Sequence, residues 1–159
     1  GDIQIGQKVL IYGASGTTGT LAIQIAKSLG AEVTGVCSTS NLEMVKNLGA
    51  DYVIDYTKQD SVPNDITYDF ILDAVGKAKT SKLKDSCNKA LSSIGKYVSI
   101  DNGDLKLYSH RLDKIKEYIE SGQIKPIMDK TYLLDEIVEA HRYVEKGHKK
   151  GGVAITVLG

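Results

Sequence analysis

The sequence predicts an α/β protein: a doubly wound parallel sheet followed by a helix–strand tail. Three observations point there. From Lys8 to about Ile100, short apolar runs alternate with longer stretches of helical period, the pattern of βαβ units. A glycine-rich segment, Gly13-Ala-Ser-Gly16-Thr-Thr-Gly19, separates the first apolar run from the first helical stretch. Beyond Asp101 the rhythm changes, which places the tail in a different layer.

Taken in order, Val9–Tyr12 reads as the first strand. Thr17–Leu29 follows as a helix with Leu21, Ala22, Ile25 and Leu29 on one face and Gly30 as its stop. Glu32–Val36 is the second strand. Ser40-Asn-Leu-Glu43 has the spacing of a capping box, which opens a helix ending at Leu48 before Gly49. Tyr52–Asp55 and Tyr68–Leu72 are the third and fourth strands. The stretch between them holds Pro63 and Asn64 and is expected to be loop with at most a short helix. Leu83, Cys87 and Leu91 mark a helical face, and Tyr97–Ile100 is the fifth strand. Asp101–Asp104 is a turn, and Leu105–Tyr108 has the look of a sixth-strand remnant. In the tail, a helix over Ser109–Glu120 is expected to bury Leu112, Ile115 and Ile119, with Gly122 ending it. Ile127–Tyr132 reads as a strand, Asp135–Lys146 as a helix packing through Ile137, Val138, His141 and Val144, and Val153–Leu158 as the last strand.

A chain of 159 residues suits one domain with its own core. Twenty basic residues balance twenty acidic ones, and only Arg111 and Arg142 are arginines, so neither a nucleic acid nor an anionic membrane is expected as a partner. No apolar run approaches the ~18 residues of a membrane helix, and the opening residues lack the apolar core of a signal peptide. The chain lacks a starting Met, as an excised piece of a longer protein would. Cys37 and Cys87 lie far apart without zinc-ligand spacing, so two reduced thiols and a cytoplasmic location are expected, with no metal site.

The glycine segment carries the chemistry. After a strand and before a helix, glycines allow a tight turn, close approach to a pyrophosphate and close helix packing. The amides and positive dipole end of the helix then hold phosphate. Ala14 stands where strict G-x-G-x-x-G has its first glycine, and no Gly-Lys-Ser/Thr follows, so the segment reads as a Rossmann-type dinucleotide turn, ahead of a glycine turn with no ligand, and not as an NTPase loop. NAD sites usually end the second strand with an acid for the ribose hydroxyls. Here Cys37-Ser-Thr-Ser40 is uncharged and the first acid is Glu43, which points to NADP(H) rather than NAD(H).

The glycine segment with Ala22–Ala31 resembles the cofactor half of the medium-chain dehydrogenase/reductase superfamily. Thr34–Thr39, Leu48–Tyr56, Tyr68–Gly76, Gly95–Ser99, Gly122–Pro126 and Glu139–His148 narrow the resemblance to its quinone oxidoreductase (zeta-crystallin-like) branch, over nearly the whole chain. The resemblance implies a cofactor-binding part without the amino-terminal catalytic half. It divides the chain into a Rossmann core, 1–104, and a C-terminal part, 105–159, that completes the domain and returns toward that half. It sets the pyrophosphate against Gly13, Ala14, Ser15, Gly16, Thr17, Thr18 and Gly19, and the adenosine ribose with its phosphate against Ser38, Thr39, Asn41 and Tyr56. Ala74, Val75 and Gly76 would line the crevice, and Ser99 would lie toward the nicotinamide. Members commonly carry a basic residue where Ser40 and Asn41 stand, Thr17 and Thr18 replace a usual Gly-Val, and the segment members carry before the helix at Arg111 is missing.

The implied activity is zinc-independent hydride transfer from NADPH to a quinone or an activated alkene or carbonyl, a small-molecule acceptor, in an enzyme that could be a homodimer. Catalytic residues are not assigned. The alternative is a non-catalytic NADP(H)-binding or redox-sensor module, akin to an atypical short-chain dehydrogenase. The short-chain mechanism itself is disfavoured, because no tyrosine has a lysine four residues on. His141 reads as a packed side chain and His148 as part of a solvated turn. Lys149 or Lys150 could reach the cofactor phosphate, but a surface charge run is the preferred reading. Asp73 reads equally as a ribose partner or a helix cap.

Overall fold

The structure, a computed structural model, describes residues 3–78, 81–102 and 109–157. Five parallel strands form the main sheet: β1 (Lys8–Tyr12), β2 (Glu32–Cys37), β3 (Tyr52–Asp55), β4 (Tyr68–Asp73) and β5 (Leu91–Ser99), in the order β3-β2-β1-β4-β5. Helices α1 (Thr17–Ser28) and α2 (Leu42–Asn47) cover one face, and α3 (Lys82–Lys89) the other. Alternation along β1 explains the two layers. Val9 and Ile11 pack with Ile23, Ala26 and Val45, whereas Leu10 and Tyr12 pack with Ile71, Leu83 and Cys87. Both cysteines are free and buried.

The tail forms α4 (Ser109–Glu120), β6 (Met128–Leu133), α5 (Ile137–Glu145) and β7 (Gly152–Thr156). β6 and β7 pair in parallel as a separate two-stranded sheet. Hydrogen bonds among the described residues fasten the tail to the core. Gln24 on α1 bonds the carbonyl and amide of Lys125, and Gly151 bridges to Gly16.

Several expectations are corrected. The buried stripe of α1 is Gly19, Thr20, Ile23 and Ala26, rotated from the expected face, because the helix starts flush against the glycine turn. The capping box at Ser40 does not form. A 3₁₀ turn, Thr39–Asn41, leads into α2, and Ser40 Oγ bonds Ser38 Oγ instead. Leu91 leaves the helical face to begin β5, opposite Tyr68. Leu112, Ile115 and Ile119 of α4 are exposed, Leu112 by 62%, since no other element among the described residues covers that face. On α5, Ile137, Val138, His141 and Val144 are also exposed. The helix packs through Ala140 and through Tyr143, whose hydroxyl donates to Asp129 at 2.5 Å. The loop between β3 and β4 contains turns and no helix. Most of the expected turn at 101–104 and the strand remnant at 105–108 lie outside the described residues.

Candidate functional site

The carboxyl ends of β1, β2 and β4 converge where the strand order reverses between β1 and β4. Open parallel sheets bind ligands at such a point. A crevice of about 690 Å³ opens there, walled by Gly13 and Gly16, Val36 and Cys37, and Ala74 and Val75. Tyr12, Ser15, Tyr56, Ser81, Val144, Gly147 and Lys149 complete it.

The glycine turn is built by backbone bonds. Gly13 and Ala14 donate to the carbonyl of Val36 at 3.1 and 2.9 Å, and Ala74 donates to that of Tyr12 at 2.9 Å. Gly13 holds φ at +85°, and a Cβ there would stand 2.5 Å from Val75 Cγ2. A Cβ on Gly19 would come within 2.7 Å of Ala14 Cα, so α1 can begin this close to the turn only with glycine. Gly16 differs: a Cβ there would meet only the Gly13 carbonyl, at 3.6 Å. Gly16 is also the N-cap of α1, with no side-chain cap and no acid in the first turn, so no side-chain anion meets the positive end of the helix; the Gly16 amide itself donates to the Gly13 carbonyl at 3.2 Å. An open cradle at a helix N-terminus fits a dinucleotide's diphosphate.

The wall at 74–76 rests on a buried ion pair. Asp73 and Lys84 meet at 2.7 Å with side chains 2% and 10% exposed. Asp73 Oδ1 accepts the N–H groups of Val75 and Gly76, and Oδ2 accepts the hydroxyls of Tyr97 at 2.8 Å and Ser99 at 3.4 Å. Burial by itself raises the Asp73 carboxyl, but bonds from Lys84, Tyr97 and the two amides outweigh it and hold it below the usual range. Tyr97 is pushed up to about 12 by burial and by Asp73. Asp73 therefore caps the turn at Gly76–Ala78 and is walled off from the crevice.

At the ends of β2 and β3 a second network forms. Thr39 and Thr57 both donate hydroxyls to Asp55, at 2.5 and 2.6 Å, and these bonds lower its carboxyl. Burial, with Asp55 adding, pushes the Cys37 thiol up to about 11. Asn41 Nδ2 donates to Ser38 Oγ at 3.1 Å, while its Oδ1 is buried with no hydrogen-bond partner among the described residues.

Of the residues named from sequence, Gly13, Ser15, Gly16, Tyr56, Ala74 and Val75 line the crevice. Ala14, Gly19 and Gly76 are buried beneath it, and Ser99 is buried against Asp73. Thr17 and Thr18 are exposed on the first turn of α1, and Ser38, Thr39 and Asn41 stand at the end of β2. Sequence reasoning passed over Tyr12 and Ser81, whose hydroxyls meet at 2.9 Å, and set Lys149 aside as surface. Lys149 Nζ in fact lies 2.5 Å from Thr17 Oγ1, a contact between residues 132 apart that no local pattern announces. Among the described residues no group of three or more His, Cys, Asp or Glu is arranged to hold a metal, and no helix is long and apolar enough to cross a membrane.

Two family models, both described as zinc-binding dehydrogenase, match residues 17–102 and 104–155. The chain is 34% identical over 192 residues to a mitochondrial NAD(P)H oxidoreductase, RTN4IP1, of Bos taurus, covering 96% of this chain and 48% of that protein. It is 32% identical to a chloroplastic NADPH-dependent alkenal/one oxidoreductase of Arabidopsis thaliana, covering 97% of this chain and 42% of that one. The chain thus spans about half the length of these relatives. Among solved structures, the quinone oxidoreductase of Coxiella burnetii superposes with a TM-score of 0.88 at 24% identity, over 99% of this chain and 55% of that one.

Proposed function

Because this chain belongs to the zinc-binding dehydrogenase family, as a cofactor-binding part of the medium-chain dehydrogenase/reductase superfamily, we propose that it holds NADP(H) for a zinc-independent reductase. The acceptor is a quinone or an activated alkene or carbonyl. When bound, the nicotinamide supplies the hydride. The protein supplies position and electrostatics.

One observation carries the reading: a glycine turn and an uncapped helix end open onto a crevice at the reversal of strand order. Amides in the first turn of α1, after Gly16, would hold the diphosphate. Ser38, Thr39, Asn41 and Tyr56 would face the adenosine ribose, and the uncharged end of β2 would leave room for a 2′-phosphate. Asp73, by bonding the Val75 and Gly76 amides, shapes the wall against which the nicotinamide ribose would lie. The names of the relatives support a nicotinamide cofactor and a reducible small-molecule acceptor.

In this reading residues 1–104 form the cofactor core and 105–159 complete it. A homodimer would cover the apolar faces of α4 and α5, and two buried thiols suit a reducing compartment such as the cytoplasm. Calorimetric titration with NADPH and NADH, followed by NADPH oxidation with a quinone present, tests the proposal. Binding with a preference for NADPH is expected, and a folded chain that takes neither cofactor overturns it.

A further inference from the structure

Resting on that reading, we propose that the cations for the cofactor's phosphates come from the far end of the chain: Lys149 serves the diphosphate and Lys150 the 2′-phosphate. Lys149 Nζ donates to Thr17 Oγ1 at 2.5 Å and to the Gly151 carbonyl at 2.8 Å, on the rim of the crevice that contains Gly13, Ser15 and Gly16. Thr17 is the first residue of α1. A full positive charge therefore stands against the positive end of a helix, and no carboxylate forms an ion pair with Lys149 among the described residues. Only the Gly151 carbonyl, which accepts from both Lys149 and Thr17, offsets the two like charges there, and a phosphate set against both gains from each.

Lys150 lines a second groove, of about 870 Å³, between α1 and α2, which also contains Ser40 and Glu43. Ser40 follows the end of β2, where the sequence offers the 2′-phosphate hydroxyls and no cation. Of the other cations in this groove, Lys27 is held by both oxygens of Asp51 at 2.8 Å. The backbone of Lys125 flanks Gln24, about two turns down α1 from Thr17. Lys150 instead adjoins Gly151, which is bridged to Gly16.

The dilysine step is held in place by neutral and charged partners alike. Asp129 Oδ2 accepts the Lys150 amide at 2.9 Å and the Tyr143 hydroxyl, and the Gly151 amide donates to the Ser15 carbonyl at 2.9 Å. Successive residues thus line the two grooves, Lys149 the crevice and Lys150 the one beside Ser40.

The test is calorimetric titration of the full chain with NADPH and NADH, in wild type, Lys149→Met, Lys150→Met and Lys125→Met. Lys149→Met is expected to weaken both cofactors alike, by about tenfold. Lys150→Met is expected to weaken NADPH by about tenfold and NADH by less than about twofold, with the NADPH gap closing as salt is added. Lys125→Met should change neither. Unchanged affinities in Lys149→Met, or equal losses of both cofactors in Lys150→Met, overturn the assignment. Inorganic pyrophosphate separates this inference from the reading beneath it. A wild type that binds pyrophosphate through Lys149 but neither cofactor keeps the anion clamp and sinks the dinucleotide reading. A wild type that binds neither pyrophosphate nor cofactor overturns both.

Discussion

Gly16 and Gly19 sit three residues apart in one turn, yet they answer to different demands. A side chain at Gly16 meets nothing closer than 3.6 Å in the folded chain, whereas one at Gly19 strikes Ala14. Gly16→Val should therefore leave a folded protein, weaker by about 1 kcal/mol for the poorer N-cap, and abolish NADPH binding by filling the cradle. Gly19→Ala should cost stability directly, about 1–3 kcal/mol as overpacking. Thermal melts and calorimetry on both variants check the contrast. Equal losses of stability would show that Gly16 is structural too. Asp73 offers a second test at this scale. Asp73→Asn leaves Lys84 buried beside an uncharged partner, and removing one member of such a pair costs ~3–5 kcal/mol. The depressed carboxyl also fixes the pH dependence. Its contribution is complete above the ordinary carboxylate value near ~3.9 and is lost as pH falls through the lower folded value. Acid melts of the wild type should steepen below about pH 4, and those of Asp73→Asn should steepen less.

Among elements, the end of β2 is the one to which the proposed function assigns cofactor choice. The Cys37 side chain is buried next to Asp55, so a carboxylate placed there would be desolvated and repelled. Ser38, one residue on, is half-buried, and the proposed function sets it against the ribose. Ser38→Asp should raise the NADPH dissociation constant and lower that of NADH, and an unchanged ratio would move the 2′-phosphate away from this strand end. The strands of the main sheet were legible because apolar runs bounded by glycine and polar turns leave few other readings. The glycine turn was legible for the same reason, since its parts are consecutive. Helix faces were not. On α1 the buried stripe follows the small residues that let the helix approach the turn, Gly19 and Thr20, and not the largest apolar ones. On α5 it follows Ala140 and a tyrosine anchored by Asp129. Lys149 was illegible because its partner lies at the opposite end of the chain.

At the scale of the whole molecule, α4 and α5 turn large apolar side chains to solvent: Leu112, Ile115 and Ile119 on one, Ile137, Val138 and Val144 on the other. Faces of this kind mark interaction surfaces. The chain alone should run as a dimer or larger species in light scattering at micromolar concentration, and Leu112→Glu with Ile119→Lys should shift it toward monomer. A monodisperse wild-type monomer would count against that prediction. The bridge between the glycine turn and the tail has a consequence in time. Thr17 and Gly151 are 134 residues apart. At translation speeds of ~5–20 residues per second, the turn leaves the ribosome roughly 7–27 seconds before the strand that pins it. During biosynthesis the turn must wait as an unfinished loop, and under the proposed function the nascent chain can grip a cofactor fully only once β7 has emerged.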